Sequence, residues 1–219
     1  MNPRTSLTTA TGKMIDLLDP KAEDIDFSVI AEHLAKANRY CGATADLTYS
    51  VAEHCVRGAE IAFDRGEMQL VCYFLCHDMH EAFLGDDTTP KKRALEKIAA
   101  GSFGTLAEAV RQAFDHLTDR LDGAIHEAAG LAWPPTNEMQ KQIKEIDALM
   151  LALEWRDLMR CPPPYDFGVT FPQALPFEQP IRPWEWQVAR GAFGYWCRHA
   201  LPVYRKSSIA HAIETSGAA

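Results

Sequence analysis

The run Cys76-His77-Asp78-Met79-His80-Glu81 follows an unbroken apolar stretch, Leu70-Val71-Cys72-Tyr73-Phe74-Leu75. An imidazole and a carboxylate thus arrive at the end of a segment whose composition points it into a core. An ionised Asp loses its hydration there and must be neutralised by a partner or a metal. On a helix, residues three and four apart share a face, which sets Glu81 over both Asp78 and His77. One face then offers a nitrogen ligand, an oxygen ligand and a nearby acid. A lone His-Asp dipeptide is more often a surface ion pair, so its weight comes from companions elsewhere. His54 lies on an apolar stripe with Leu47, Val51, Cys55, Gly58, Ile61 and Ala62. A core His held by one hydrogen bond is the ordinary account of such a residue. Asp147 sits beside Ile146 and one helical turn after Ile143, where a solubilising charge makes little sense. Brought together, two imidazoles and two carboxylates form a mixed nitrogen and oxygen set suited to Mn²⁺, Co²⁺, Fe²⁺ or Zn²⁺ and less to Ca²⁺. The carboxylates balance the ion's charge, and a six-coordinate ion keeps two positions for water and a substrate oxygen, as catalytic sites do.

The elements that must position these residues are helical. Residues 1–26 are polar and turn-rich, with Gly12 and Asp19-Pro20, and read as an N-terminal arm with little regular structure. A short helix is expected from Ser28, its N-cap, to Ala37, ended by Arg39-Tyr40-Cys41-Gly42. Helices are expected at 46–66 and 67–84, the second carrying the His-Asp run, with Gly85-Asp86-Asp87-Thr88-Thr89-Pro90 breaking it and Lys91-Lys92 starting afresh. Two long amphipathic helices follow, 105–129 and 136–160, separated by Gly130 and Trp133-Pro134-Pro135. The second carries Asp147. Residues 161–183 hold prolines at 162, 163, 164, 172, 176, 180 and 183, which excludes a helix and suits a segment that wraps a surface or lids a site. A final helix is expected from Trp184 to Ala200, with Trp184, Val188, Phe193 and Trp196 as core or interface anchors and a frayed tail after Ile213. The fold class is all-α.

Bulk composition narrows the function. A chain of 219 residues suits one sizeable core, here taken as a single domain spanning 1–219. The formal net charge of -8 repels a polyanion, and the one dense basic cluster, Lys91-Lys92-Arg93, fits at most a small phosphorylated molecule, so no nucleic-acid polymer is expected as partner. No run approaches a membrane span and the N-terminus lacks a signal-peptide core, which makes the expected compartment cytoplasmic, with no membrane partner. The 6 Cys include no C-x-x-C pair and read as reduced, buried thiols.

The order His54, His77-Asp78, Asp147 on successive helices resembles the HD-domain metal-dependent phosphohydrolases. Three longer strings bring one branch closer: Tyr49-Ser50-Val51-Ala52-Glu53-His54; His77-Asp78-Met79-His80-Glu81-Ala82-Phe83-Leu84-Gly85-Asp86 with Thr89-Pro90-Lys91-Lys92; and Glu145-Ile146-Asp147-Ala148-Leu149-Met150-Leu151-Ala152-Leu153-Glu154. That branch holds the bacterial 5'-deoxynucleotidases and the phage dATP triphosphohydrolases. The likeness covers residues 12–160 and leaves the last sixty or so without a counterpart. It implies an HD-domain-like helical bundle and one divalent metal ion (Mn, Co, Fe, Zn or Mg) held by His54, His77, Asp78 and Asp147. Glu81 corresponds to the catalytic carboxylate and Asp86 to a second acid near the scissile phosphate. Arg39 and Lys92 match basic positions that touch phosphate or hold the nucleotide. It also implies a small-molecule nucleotide substrate and a homo-oligomer. Where related phage enzymes often carry a His in the loop after Gly42, this chain has Ala43.

The chemistry of the residues agrees with those roles. Phosphate-ester hydrolysis needs a nucleophile at neutral pH, charge stabilisation on the phosphoryl oxygens, and a positioned acid for the leaving alkoxide. A metal, Arg39 with Lys92, and Glu81 or Asp86 answer these needs in turn. Two other readings stand beside this one: a phosphodiesterase acting on a cyclic or internucleotide bond, and a binding module in which the metal is a structural clip.

Overall fold

The computed structural model describes residues 4–104, 107–169, 177 and 179–205. The fold is all-α, as expected from the apolar periodicity. Its helices are α1 (Phe27–Lys36), α2 (Val51–Asp64), α3 (Met68–Cys76), the single turn α4 (Glu81–Leu84), α5 (Thr89–Phe103), α6 (Ala107–Ala129), α7 (Asn137–Leu158) and α8 (Trp186–Ala200). The caps explain the boundaries. Asp26, not Ser28, caps α1, its carboxylate accepting from the Ser28 amide at 2.8 Å. Ser50 caps α2 by accepting from the Glu53 amide at 3.2 Å, so α2 starts five residues later than the stripe suggested and Leu47 lies exposed in the preceding loop. Thr136 caps α7 in the same manner.

The N-terminal arm is more ordered than its composition implied. Strands β1 (Ser6–Thr8) and β2 (Met14–Asp16) pair antiparallel with Leu7 opposite Ile15, around a turn in which Gly12 takes φ 79°. Ile15 is buried, Leu7 packs against the core, and the Ala10 amide donates to His33 Nε2 of α1 at 3.1 Å, which together fix the hairpin to the bundle.

The core is a continuous apolar cluster to which α1, α2, α3, α6, α7 and α8 all contribute. At its centre α2 packs on α3, and this contact depends on Gly58: a Cβ there would lie 2.0 Å from Cε1 of the buried Phe74 ring. That ring is in turn stacked near His77 at 4.4 Å between centroids, so it cannot give way without moving a site residue. Gly58→Ala is therefore expected to lower the unfolding free energy by about 1–3 kcal/mol. An unshifted thermal midpoint would contradict this packing.

Other expectations meet corrections. The apolar stripe of the 105–129 helix is buried only from Leu121 onward, while Val110 is exposed; residues 105 and 106 lie outside the described residues. Cys55, Cys72, Cys76 and Cys197 are buried free thiols, but Cys41 and Cys161 are exposed. Val188 is exposed, whereas Phe193 enters the core and Trp184 and Trp196 are partly buried. Of the proline-rich segment, residues 161–169 carry no helix or strand, Pro172 and Pro176 fall outside the described residues, and so does the tail after Ile213. The chain returns at Ile181, whose amide donates to Asp157 at 2.9 Å, and at Trp184, whose amide donates to the buried Glu53 at 2.7 Å. Those bonds tie the segment across α7 and α2. No helix of the described residues is long and apolar enough to cross a membrane.

Candidate metal centre

Three helical elements deliver the site. His54 comes from the middle of α2, fully buried, His77 and Asp78 from the turn that follows α3, and Asp147 from α7. The helix breaks at Cys76. From His77 to His80 the backbone stays right-handed but closes with three-residue bonds, among them Glu81 amide to Asp78 carbonyl at 3.1 Å and Met79 amide to Cys76 carbonyl at 3.1 Å. In such a 3₁₀ turn the i+3 neighbours eclipse, so Glu81 keeps its place over Asp78 and loses the i+4 relation to His77 that a continuous helix would have given.

The ligand atoms converge. His54 Nε2 lies 3.4 Å from His77 Nε2 and 3.8 Å from Asp78 Oδ2, and His77 Nε2 lies 3.1 Å from Asp78 Oδ2. Donors bound to one ion at about 2.0–2.2 Å stand roughly 3–3.5 Å apart, so this triangle is the size an ion needs. Each imidazole spends its other nitrogen on orientation. His54 Nδ1 donates to Glu154 Oε1 at 2.6 Å and His77 Nδ1 donates to the Phe74 carbonyl at 2.6 Å, which turns both Nε2 atoms to the centre. His54, His77 and Asp78 therefore form a group that can hold a metal ion. Asp147, the fourth residue expected, reaches the rim: its Oδ1 is 3.3 Å from His54 Nε2, and its side chain is 46% exposed.

The remaining candidates surround this triangle. Arg39 is committed to carboxylates, with Nε 3.1 Å from Glu154 Oε2 and Nη1 3.5 Å from Asp78 Oδ2. Glu81 is buried, and its Oε2 has no hydrogen-bond partner. Asp86 is half-buried and accepts from the Tyr40 amide. Lys92 is exposed on the first turn of α5, with Nζ 5.5 Å from the Phe114 ring, and its charge reaches Asp86. His80 turns away and pairs with Asp122 of α6 at 3.0 Å.

Charges in the site oppose one another strongly. Burial works against a protonated His77, yet the Asp78 carboxylate outweighs it and pushes the ring up to about 9. Asp78, which burial alone would raise, is held well below the usual carboxylate range by His77, His54 and Arg39. Glu81 is pushed up to about 9, first by burial and then by the charges of Asp78 and Asp86. Asp86 rises for the same reasons, burial first, with Arg39 opposing. An ion must displace the His77 proton, so divalent-metal affinity is expected to climb roughly tenfold per pH unit through neutrality and to level off above about 9. Chelator competition at several pH values measures this; an affinity independent of pH would exclude His77 as a ligand.

Two features were not anticipated. Glu154 is fully buried and gathers His54, Arg39 and the Tyr40 hydroxyl, the last at 2.5 Å. It stands seven residues after Asp147, two turns along the same face of α7, and that spacing is the signal that could have found it. Tyr40 and Cys41 both adopt left-handed backbone, φ 57° and 52°, without being glycine. Such strain, about 1–3 kcal/mol per residue, concentrates at sites where surroundings enforce it, here through the Tyr40 bonds to Glu154 and Asp86.

A cleft of about 380 Å³ opens beside the triad, lined by Arg39, Asp86 and Asp147 and by Tyr40, Trp155 and Phe167, the Tyr40 ring lying 5.5 Å from the Arg39 guanidinium. A larger hollow of about 740 Å³, lined by Arg65, Lys141 and Lys144 among others, contains none of the ligand residues.

Fold and site together define an all-α protein with a candidate metal centre. A Rhodobacter capsulatus protein described as uncharacterized protein RCAP_rcc00048 is 35% identical over 150 residues, covering 66% of this chain and 68% of that protein. The chain belongs to the family of that protein. No protein-family model matches it.

Proposed function

We propose that this chain is a metal-dependent phosphohydrolase of the HD-domain type that removes the phosphate or polyphosphate from the 5' position of a deoxynucleotide. The observation that carries the reading is the convergence of His54, His77 and Asp78 within 3.8 Å of one another, with Asp147 at the mouth of the same centre. The donor chemistry fits a divalent ion such as Mn²⁺, Co²⁺, Fe²⁺, Zn²⁺ or Mg²⁺. Bound there, the ion would supply Lewis acidity and lower the pKa of a water to give a nucleophile at neutral pH.

The protein's own groups do the rest. Arg39, fixed between Glu154 and Asp78, directs positive charge to where phosphoryl oxygens gather, and the charge of the exposed Lys92 is felt at Asp86. Glu81 is the acid of choice for the leaving oxygen, because its buried carboxyl has one oxygen without a partner. Asp86, held by the Tyr40 amide, orients the approaching group from the loop side. The protein should be loaded with each ion in turn and assayed against deoxynucleoside mono- and triphosphates. Release of phosphate or polyphosphate is the expected result, and its absence with every ion removes the reading.

A further inference from the structure

We propose that the cleft carries a stacking wall for the heterocyclic base of the ligand, built by Trp155 at the end of α7 and by Tyr165 and Phe167 of the proline-rich segment. It rests on the phosphohydrolase reading in one respect, that the phosphate lies at Arg39 and Asp147. One cleft is lined by both groups, contacts lead from Arg39 to the Tyr40 ring at 5.5 Å and on through Trp155 to Phe167, and the volume of about 380 Å³ is in the range of small-ligand sites.

The rings are arranged as a wall. Trp155 meets Tyr40 at 6.0 Å and 86°, and meets Phe167 at 5.7 Å and 65°; Tyr165 meets Phe167 at 5.2 Å and 89°. All three contacts are edge-on, so among the described rings none stacks parallel on Trp155. The indole is locked by donating from Nε1 to the Cys161 carbonyl at 2.9 Å. Pro162-Pro163-Pro164 stiffens the approach to Tyr165, and the Asp166 carboxylate caps the following turn by accepting from the Gly168 amide at 2.8 Å. Tyr165 is 50% exposed and lines the cleft. An aromatic surface and, beyond Tyr40, the Arg39 guanidinium with Asp147 at the rim of the metal centre match the two halves of a nucleotide, since every base has a π-face.

The test compares 2'-deoxyadenosine 5'-monophosphate with 2-deoxyribose 5-phosphate, which carries a hydroxyl in place of the base. Calorimetry on Mn²⁺-loaded Glu81→Gln protein avoids turnover. The base-bearing ligand is expected to bind about tenfold tighter or more, and Phe167→Ala and Tyr165→Ala to cost it at least about fivefold more than they cost the sugar phosphate. Equal affinities, equal losses, or no binding of the nucleotide would overturn the wall. Wild-type assays separate the two ideas. Base preference without phosphate release removes the hydrolase and leaves the wall, whereas release without base preference does the reverse.

Discussion

Glu81→Gln is expected to reduce phosphate release by roughly 10²-fold or more while leaving ion binding intact. Gln keeps the shape and cannot give up a proton, so the loss reports the acid. The same change is expected to stabilise the metal-free fold. Glu81 sits above its ordinary value of 4.5, at about 9, so folding favours its neutral form. The stability this group contributes is complete below about 4.5 and is lost as pH rises through about 9. Gln is neutral throughout and escapes that loss. At neutral pH the gain is on the order of 1–3 kcal/mol, since each pKa unit is worth about 1.4 kcal/mol. Denaturant unfolding of both proteins across acidic, neutral and mildly alkaline buffers measures it, and the gap should widen with pH. In a protein whose metal is only a structural clip, Glu81→Gln would cost no activity at all.

Glu154→Ala is the second large effect. It removes the acceptor that turns His54, and partners of this kind are worth about 10–100-fold in metal affinity. It also leaves the Arg39 guanidinium, 13% exposed, with Asp78 alone at 3.5 Å. Breaking one side of a buried ion pair costs about 3–5 kcal/mol. Glu154→Gln, which keeps an acceptor for His54 Nδ1, should recover most of the metal affinity and less of the stability. A metal titration alongside thermal unfolding separates the two losses; an alanine variant with wild-type affinity would mean that His54 is oriented by other means.

The parts of this site legible in the sequence were those whose cost is local. His54 and the His77-Asp78 pair stood out because polar groups interrupt apolar runs, and a buried charge needs a reason wherever it occurs. Asp147 was legible by the same rule, but its exposure was not, because a stripe gives a face and not the distance to the next helix. Glu154 escaped notice because its partners, His54 and Arg39, are 100 and 115 residues away in the chain. The break at His77 has no Gly or Pro to announce it, and the left-handed Tyr40 and Cys41 have no glycine to permit them; the bond that holds the Tyr40 side chain reaches Glu154, far along the chain. The β1–β2 hairpin was invisible for another reason. Strands of three residues are too short to display a period. The exposed first half of α6 is the opposite failure, an amphipathic stripe whose period is helical although Val110 stays exposed.

The central claim is that His54, His77 and Asp78 hold one divalent ion. It is tested most directly by titrating chelator-treated protein with Co²⁺ and following the visible absorption of the ion. The expected result is saturation at one equivalent per chain in the wild type, with the signal lost in both His77→Ala and Asp78→Asn proteins that remain folded. Absence of stoichiometric uptake, or a spectrum unchanged in either variant, would contradict the account.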